Sequence, residues 1–252
     1  MLKLIKSELF KMRKRKMIYV MAFIMFIMPI FGHGMSVLIQ SFGIEDPTMN
    51  IFADMTMLDF IQFSSKDVFT GGTALIMVLV IGVNLLCEEY NSGMLKMTVM
   101  ASSRKKVVIS KLITMAVYTL ILTLSHLISA LIVGSIFYGN FELSEIMTVV
   151  YTYGYGILSM LVYGILMMNF GFLFNKGTAA IASGFGLYIV FTVALQITPP
   201  NFYWMIPIGH TMLCVSGMFE QFAIQGLISG LVIGTIGVMM LLNSVVKKEL
   251  IY

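Results

Sequence analysis

MLKLIKSELFKMRKRK (residues 1–16) runs directly into MIYVMAFIMFIMPIFGHGMSVLI (residues 17–39). In the first stretch, Leu2, Ile5, Leu9 and Met12 recur at helical spacing, so they share one face of a helix whose other face is basic. Such a helix lies on an anionic membrane surface with its Lys residues toward the headgroups. The second stretch holds no Asp, Glu, Lys or Arg and is long enough to cross about 30 Å of hydrocarbon as a helix. It is too long for the apolar region of a signal peptide and has no small-residue cleavage site. The expectation is an interfacial helix followed by an uncleaved first span.

The same apolar pattern recurs at about 71–87, 112–138, 150–174, 177–198 and 224–243, giving six spans. The expected fold is all-α and integral to the membrane, with one transmembrane domain over residues 1–252. The composition agrees: 59% of the 252 residues are hydrophobic and 11% are charged, against about 25% charged in a soluble domain. All Lys and Arg residues except Lys66 fall on one side of this pattern, and basic segments are retained in the cytoplasm. Both termini are therefore expected in the cytoplasm and the chain in the plasma membrane. Glu45, Asp46, Asp54, Asp59, Asp67, Glu142, Glu145 and Glu220 fall on the other face. The net charge of +4 is juxtamembrane, which points to membrane lipid and not to nucleic acid.

The first outer loop, about 40–70, is acidic and has room for a short helix. Asn175-Lys176 makes a tight turn between spans four and five, and Pro199-Pro200 ends span five. Residues 199–223, with Phe202, Tyr203 and Trp204 and breaks at Pro207 and Gly209, are too short for two crossings. They read as a re-entrant or interfacial segment on the outer face. Cys87 and Cys214 fall on opposite sides of the bilayer, so neither a disulfide nor a metal site is expected. Gly226, Gly230 and Gly234 share one face of the last span and allow close helix approach, either within one subunit or between two. His126 lies in span three beside Ser125 and Ser129. It is a functional candidate because it is ionisable, or a neutral hydrogen bonder. The 24 Met residues suit an adaptable apolar surface or reflect composition alone.

The inner segment 88–111 carries the most specific pattern: Glu88-Glu89-Tyr90-Asn91-Ser92-Gly93-Met94-Leu95-Lys96, then Ser102-Ser103-Arg104 and Ser110-Lys111. An acidic pair before a Gly-interrupted amphipathic turn suits a short helix along the membrane that docks on a cytosolic partner. A solvated charged loop has the same composition. Glu-Tyr-x-x-Gly-x-Leu-Lys after the second span, followed by Ser-Arg and a Lys opening the third, resembles the permease subunits of ABC-2 type transporters. The likeness extends over the whole chain. It implies that this loop couples the spans to a separate P-loop ATPase subunit, with Glu89, Tyr90, Gly93, Leu95, Lys96, Arg104 and Lys111 as the matching positions and Glu88 preceding them. The chain departs from the family at Met94, where Thr is frequent, and at Ala101-Ser102, where Pro is common.

The resemblance further implies that no catalytic residue or cofactor belongs to this chain, that ATP and Mg bind the partner ATPase, and that a second permease subunit, identical or related, completes the pathway. It points to export of amphipathic or antimicrobial peptides, such as phenol-soluble modulins or lantibiotics, or of hydrophobic drugs. The chain itself has no phosphate-binding loop: between Gly171 and Thr178, Lys176 precedes Gly177, which breaks the required order. The alternative reading is an ion-coupled secondary transporter or channel. It finds no charged residue in any span, with only His126 able to titrate. An intramembrane enzyme is disfavoured because Ser125, His126 and Ser129 sit on one helix, without the geometry of a nucleophile, base and oxyanion hole.

Overall fold

The computed structural model describes residues 1–41, 55–139, 145–174, 176–215 and 219–247. Ten α-helices are described: α1 (Leu2–Lys14), α2 (Lys16–Ser41), α3 (Met57–Phe69), α4 (Thr73–Asn91), α5 (Met94–Ala101), α6 (Arg104–Phe137), α7 (Ile146–Leu173), α8 (Gly177–Ile197), α9 (His210–Val215) and α10 (Phe219–Lys247). Two 3-10 turns, Pro200–Met205 and Pro207–Gly209, join α8 to α9. Six helices (α2, α4, α6, α7, α8 and α10) are long and apolar enough to cross a membrane. Their basic ends gather at one end of the bundle. Turn residue Asn175, Lys248 and the acidic residues Glu45, Asp46, Asp54 and Glu142 lie outside the described residues.

The helices overrun the apolar windows at the basic end. α4 continues through Glu89 to Asn91, α6 begins at Arg104, and α10 reaches Lys247. Hydropathy marks only where a helix is apolar. Glu, Lys and Arg are good helix formers, so helical structure persists beyond the apolar core.

α7 is the centre of the bundle, flanked by α4, α6, α8 and α10. Small residues make the α4–α7 seam. A Cβ on Gly82 would lie 2.9 Å from the Gly164 carbonyl oxygen, and one on Gly171 would lie 2.9 Å from the Val83 carbonyl oxygen. The backbones approach this closely because neither position carries a side chain. At the opposite end, Tyr155 donates to the Ala223 carbonyl, and His210 Nε2 lies 3.0 Å from Ser229 Oγ. The first contact ties α7 to α10, and the second ties α9, in the segment after α8, to α10.

The first outer segment departs most from expectation. A short helix, α3, forms there, but it descends into the bundle against α6 and α7. Thr56 and Asp59 start it with a capping box, which satisfies two otherwise orphan amides. Ser64 Oγ lies 3.0 Å from His126 Nε2. His126 is eleven residues from the end of α6, a depth of about 16 Å. Phe69 packs on Gly156, ten residues into α7. α3 and α4 thus form one discontinuous descent, broken at Thr70–Gly72. Gly72 has φ 104°, a conformation open to Gly at little cost, and Tyr188 of α8 donates to the Gly71 carbonyl at 3.0 Å.

Gly82→Val should lower stability in detergent by about 1–3 kcal/mol through overpacking against the α7 backbone. Gly154→Ala, where a Cβ would meet nothing within 4 Å, should leave it unchanged. Thermal unfolding midpoints of the two variants check this.

Candidate functional site

The segment singled out in the sequence is built from the end of α4, all of α5 and the start of α6. α4 carries Glu89 and Tyr90 in its last turn. Tyr90 packs its ring edge against Phe172 of α7, with centroids 5.9 Å apart. The chain then turns at Gly93, whose φ of 72° is disfavoured for any residue with a Cβ, and α5 begins at once. Leu95 is fully buried in the core. The opposite face of α5 presents Met94, Met97 and Met100 at 44%, 68% and 76% exposure. A spacing of three places the three thioethers in one row on the helix. Arg104 opens α6, and its guanidinium donates to the Val245 carbonyl near the end of α10 at 3.2 Å.

Two carboxylates and two ammonium groups meet behind this segment. Lys111 Nζ lies 2.6 Å from Glu89 Oε1 and 2.7 Å from Glu8 Oε2. Lys11 Nζ lies 2.8 Å from Glu8 Oε1 and 3.0 Å from Glu89 Oε1. The cluster joins α1, α4 and α6. Glu8, Glu89 and Lys111 are buried, whereas the Lys11 side chain keeps 28% of its surface in solvent. Burial alone would raise the Glu8 pKa; attraction by Lys111 and hydrogen bonds from both lysines outweigh it and hold the carboxyl below its ordinary value of 4.5. Burial alone would lower the Lys11 pKa, but hydrogen bonds to Glu8 and Glu89 leave it above 10.5. Glu89 Oε2 is buried with no hydrogen-bond partner among the described residues. This one acceptor is left unsatisfied in an otherwise compensated cluster.

The structure thus brings Glu89 and Lys111 into direct contact and places Tyr90, Leu95 and Arg104 around them as packing and anchoring groups. The backbones of Glu88 and Lys96 belong to α4 and α5, while their side chains lie outside the described residues. Gly226, Gly230 and Gly234 belong to a different region. Their α10 face packs on Leu213 and Tyr155, on Leu158, and on Val162. His126 is also separate; its ring nitrogens meet Ser64 Oγ and, at 2.8 Å, Tyr153 Oη. Its neighbour Ser125 instead donates to the Ile121 carbonyl. Glu8 was missed by sequence reasoning. Its signal was present: it is the one acid in an otherwise basic helix, where binding an anionic membrane gives a carboxylate no use.

A family model described as ABC-2 family transporter protein matches residues 4–195. The chain belongs to that family. The match spans the cluster entire, from Glu8 to Lys111, and takes in α1 through most of α8. This ABC-2 chain is accordingly a multi-pass membrane protein of a transport system. No curated protein matches it.

Removing one partner from the cluster leaves a buried charge uncompensated, which costs about 3–5 kcal/mol. Lys111→Ala should therefore destabilise the ABC-2 chain by that order, and Lys111→Arg, which keeps the positive charge against Glu8 and Glu89, should recover part of the loss in thermal unfolding. The pH response has a definite sign. Glu8, with its lowered pKa, stabilises the α1 attachment above 4.5 and loses that contribution as pH falls through its folded value. Lys11, with its raised pKa, contributes fully below 10.5 and loses that as pH rises further. Spin-label distances between α1 and α6 should hold constant between these limits and lengthen below the lower one.

Proposed function

We propose that this chain is the membrane-spanning permease subunit of an ATP-driven exporter, with the basic end in the cytoplasm of a plasma-membrane system. On this reading α1 lies along the inner leaflet, both termini are cytoplasmic, and the stretch between α8 and α10 is the re-entrant element on the outer face. ATP and Mg belong to a separate P-loop ATPase subunit, and a second permease subunit, identical or related, completes the pathway. The cargo class is amphipathic or antimicrobial peptide, such as phenol-soluble modulins or lantibiotics, or hydrophobic drug.

One observation carries the coupling assignment: the exposed methionine row of α5 sits on a base locked by the buried Glu8–Lys11–Glu89–Lys111 cluster. An apolar row outside the hydrocarbon is unstable unless covered, and methionines adapt to a partner's groove. Force applied to α5 by an ATPase passes through Gly93 and Glu89 into α4, and through Lys111 into α6. The unpartnered Glu89 Oε2 favours this role, since a carboxylate with a spare acceptor can rearrange its contacts without losing all of them. The family match supports the transport reading, and the two hydroxyl contacts of His126 favour a structural role for it over proton relay.

A mild-detergent pull-down of the tagged chain from its native membrane tests this reading. A P-loop ATPase should co-purify near one to one, and Met97→Asp with Met100→Asp should abolish its recovery while leaving the permease folded. Recovery of the chain alone, even after crosslinking, would remove the ATP-driven reading and bring forward the ion-coupled alternative. Glu89→Arg should leave membrane insertion intact and uncouple ATP hydrolysis from export. Unchanged export in that variant would dismiss the coupling role of the cluster.

A further inference from the structure

We propose that the break between α3 and α4 is a binding site for a lipophilic monocation, with Asp67 as the group that recognises the positive charge. The proposal deepens the export reading and rests on it for the meaning of the cargo, though not for the binding itself. Asp67 stands one turn above the break and is exposed. It lies close to Phe69, which packs at the level of Gly156 in α7. A carboxylate at this depth cannot face lipid without a large cost, so it faces protein or water and marks a functional position. It forms no ion pair among the described residues.

Asp67 lines two cavities at once. One, of about 310 Å³, lies between α2 and α3 and is walled by Met28, Phe31, Met35, Phe60 and Phe63. That volume is at the lower end of the range of small-molecule sites. The other, of about 290 Å³, lies between the helix break and α8, and is lined by Thr70, Thr192, Gln196 and Tyr203. Irregular backbone at membrane depth is tolerated where it borders such a cavity, and discontinuous helices form ion and substrate sites for this reason. Lys66 lines the polar cavity but not the apolar one. A cation with its apolar part among the methionines and phenylalanines therefore meets Asp67 as the one charged side chain among the described residues that line that cavity. Thr70 Oγ1, buried and without a partner among the described residues, offers a further acceptor at the break. The chemistry selects one positive charge joined to an apolar body: an anion is repelled by Asp67, and a polar cation gains nothing from the apolar wall.

Radiolabelled tetraphenylphosphonium and the size-matched anion tetraphenylborate test this on the purified full chain in detergent, without any ATPase. Tetraphenylphosphonium should bind saturably and resist displacement by tetraphenylborate. Asp67→Asn should weaken it by about tenfold or more, Asp67→Glu should retain it within about threefold, and Lys66→Gln should leave it unchanged or tighter, since only a like charge is removed. Each variant is first shown to elute and melt like the parent. Equal binding by Asp67→Asn, or equal competition by the anion, would overturn the site. Loss of the site while an ATPase still co-purifies would leave the transporter reading standing. A working site with no co-purifying ATPase would remove the ATP-driven reading and leave the site.

Discussion

Two carboxylates and two ammonium groups, taken out of water together at one end of the bundle, constrain the rest of this structure. Each ion alone would cost several kcal/mol to bury. Glu8, Glu89 and Lys111 are buried to within a few per cent, so none of them tolerates loss of its partners. The only inexpensive arrangement keeps all four in contact, which fixes α1 against α4 and α6. A basic amphipathic helix held by headgroups alone would slide and roll on the membrane. Held by Glu8 and Lys11, it becomes part of the same rigid unit as the α5 hairpin.

The rigid unit has a natural continuation through the bundle. α4 leaves the cluster and runs along α7 on glycines, with Gly82 against the Gly164 carbonyl and Gly171 against the Val83 carbonyl. Backbones this close have little freedom to separate, so displacement of α4 at the basic end is carried along α7. α4 then meets the break at Thr70–Gly72, where the Tyr188 hydroxyl holds the Gly71 carbonyl. Beyond the break, α3 is attached through the Ser64–His126–Tyr153 hydrogen bonds. A continuous set of contacts therefore joins the exposed methionines of α5 to Asp67 in the opposite half of the bundle.

Much of this was legible in the sequence. The six apolar windows, the asymmetry of Lys and Arg, and the motif around Tyr90 and Gly93 are local properties, readable one segment at a time. α3 was harder. MLDFIQFSSKDVF carries Asp and Lys, so its mean hydropathy conceals that Phe60, Ile61, Ser64, Val68 and Phe69 form a buried face. The acidic loop around it showed only room for a short helix, and contact with α6 and α7 reveals its depth. The three α10 glycines were legible as a packing face, but their partners on α7 and α9 were not, because a small-residue spacing does not name what it packs against.

The sequence by itself determined that the chain is a bundle of apolar helices with one basic end, because hydrophobic length and charge placement are dictated by the bilayer independently of how helices pair. The tertiary structure decided which charges meet and which helix is broken inside the bundle. Glu8 and Lys111 are 103 residues apart, and Lys11 and Glu89 are 78 apart. No helical period links positions at such distances. Their contact follows from three helices packing at one point, where the cost of burying each charge is met only by the others.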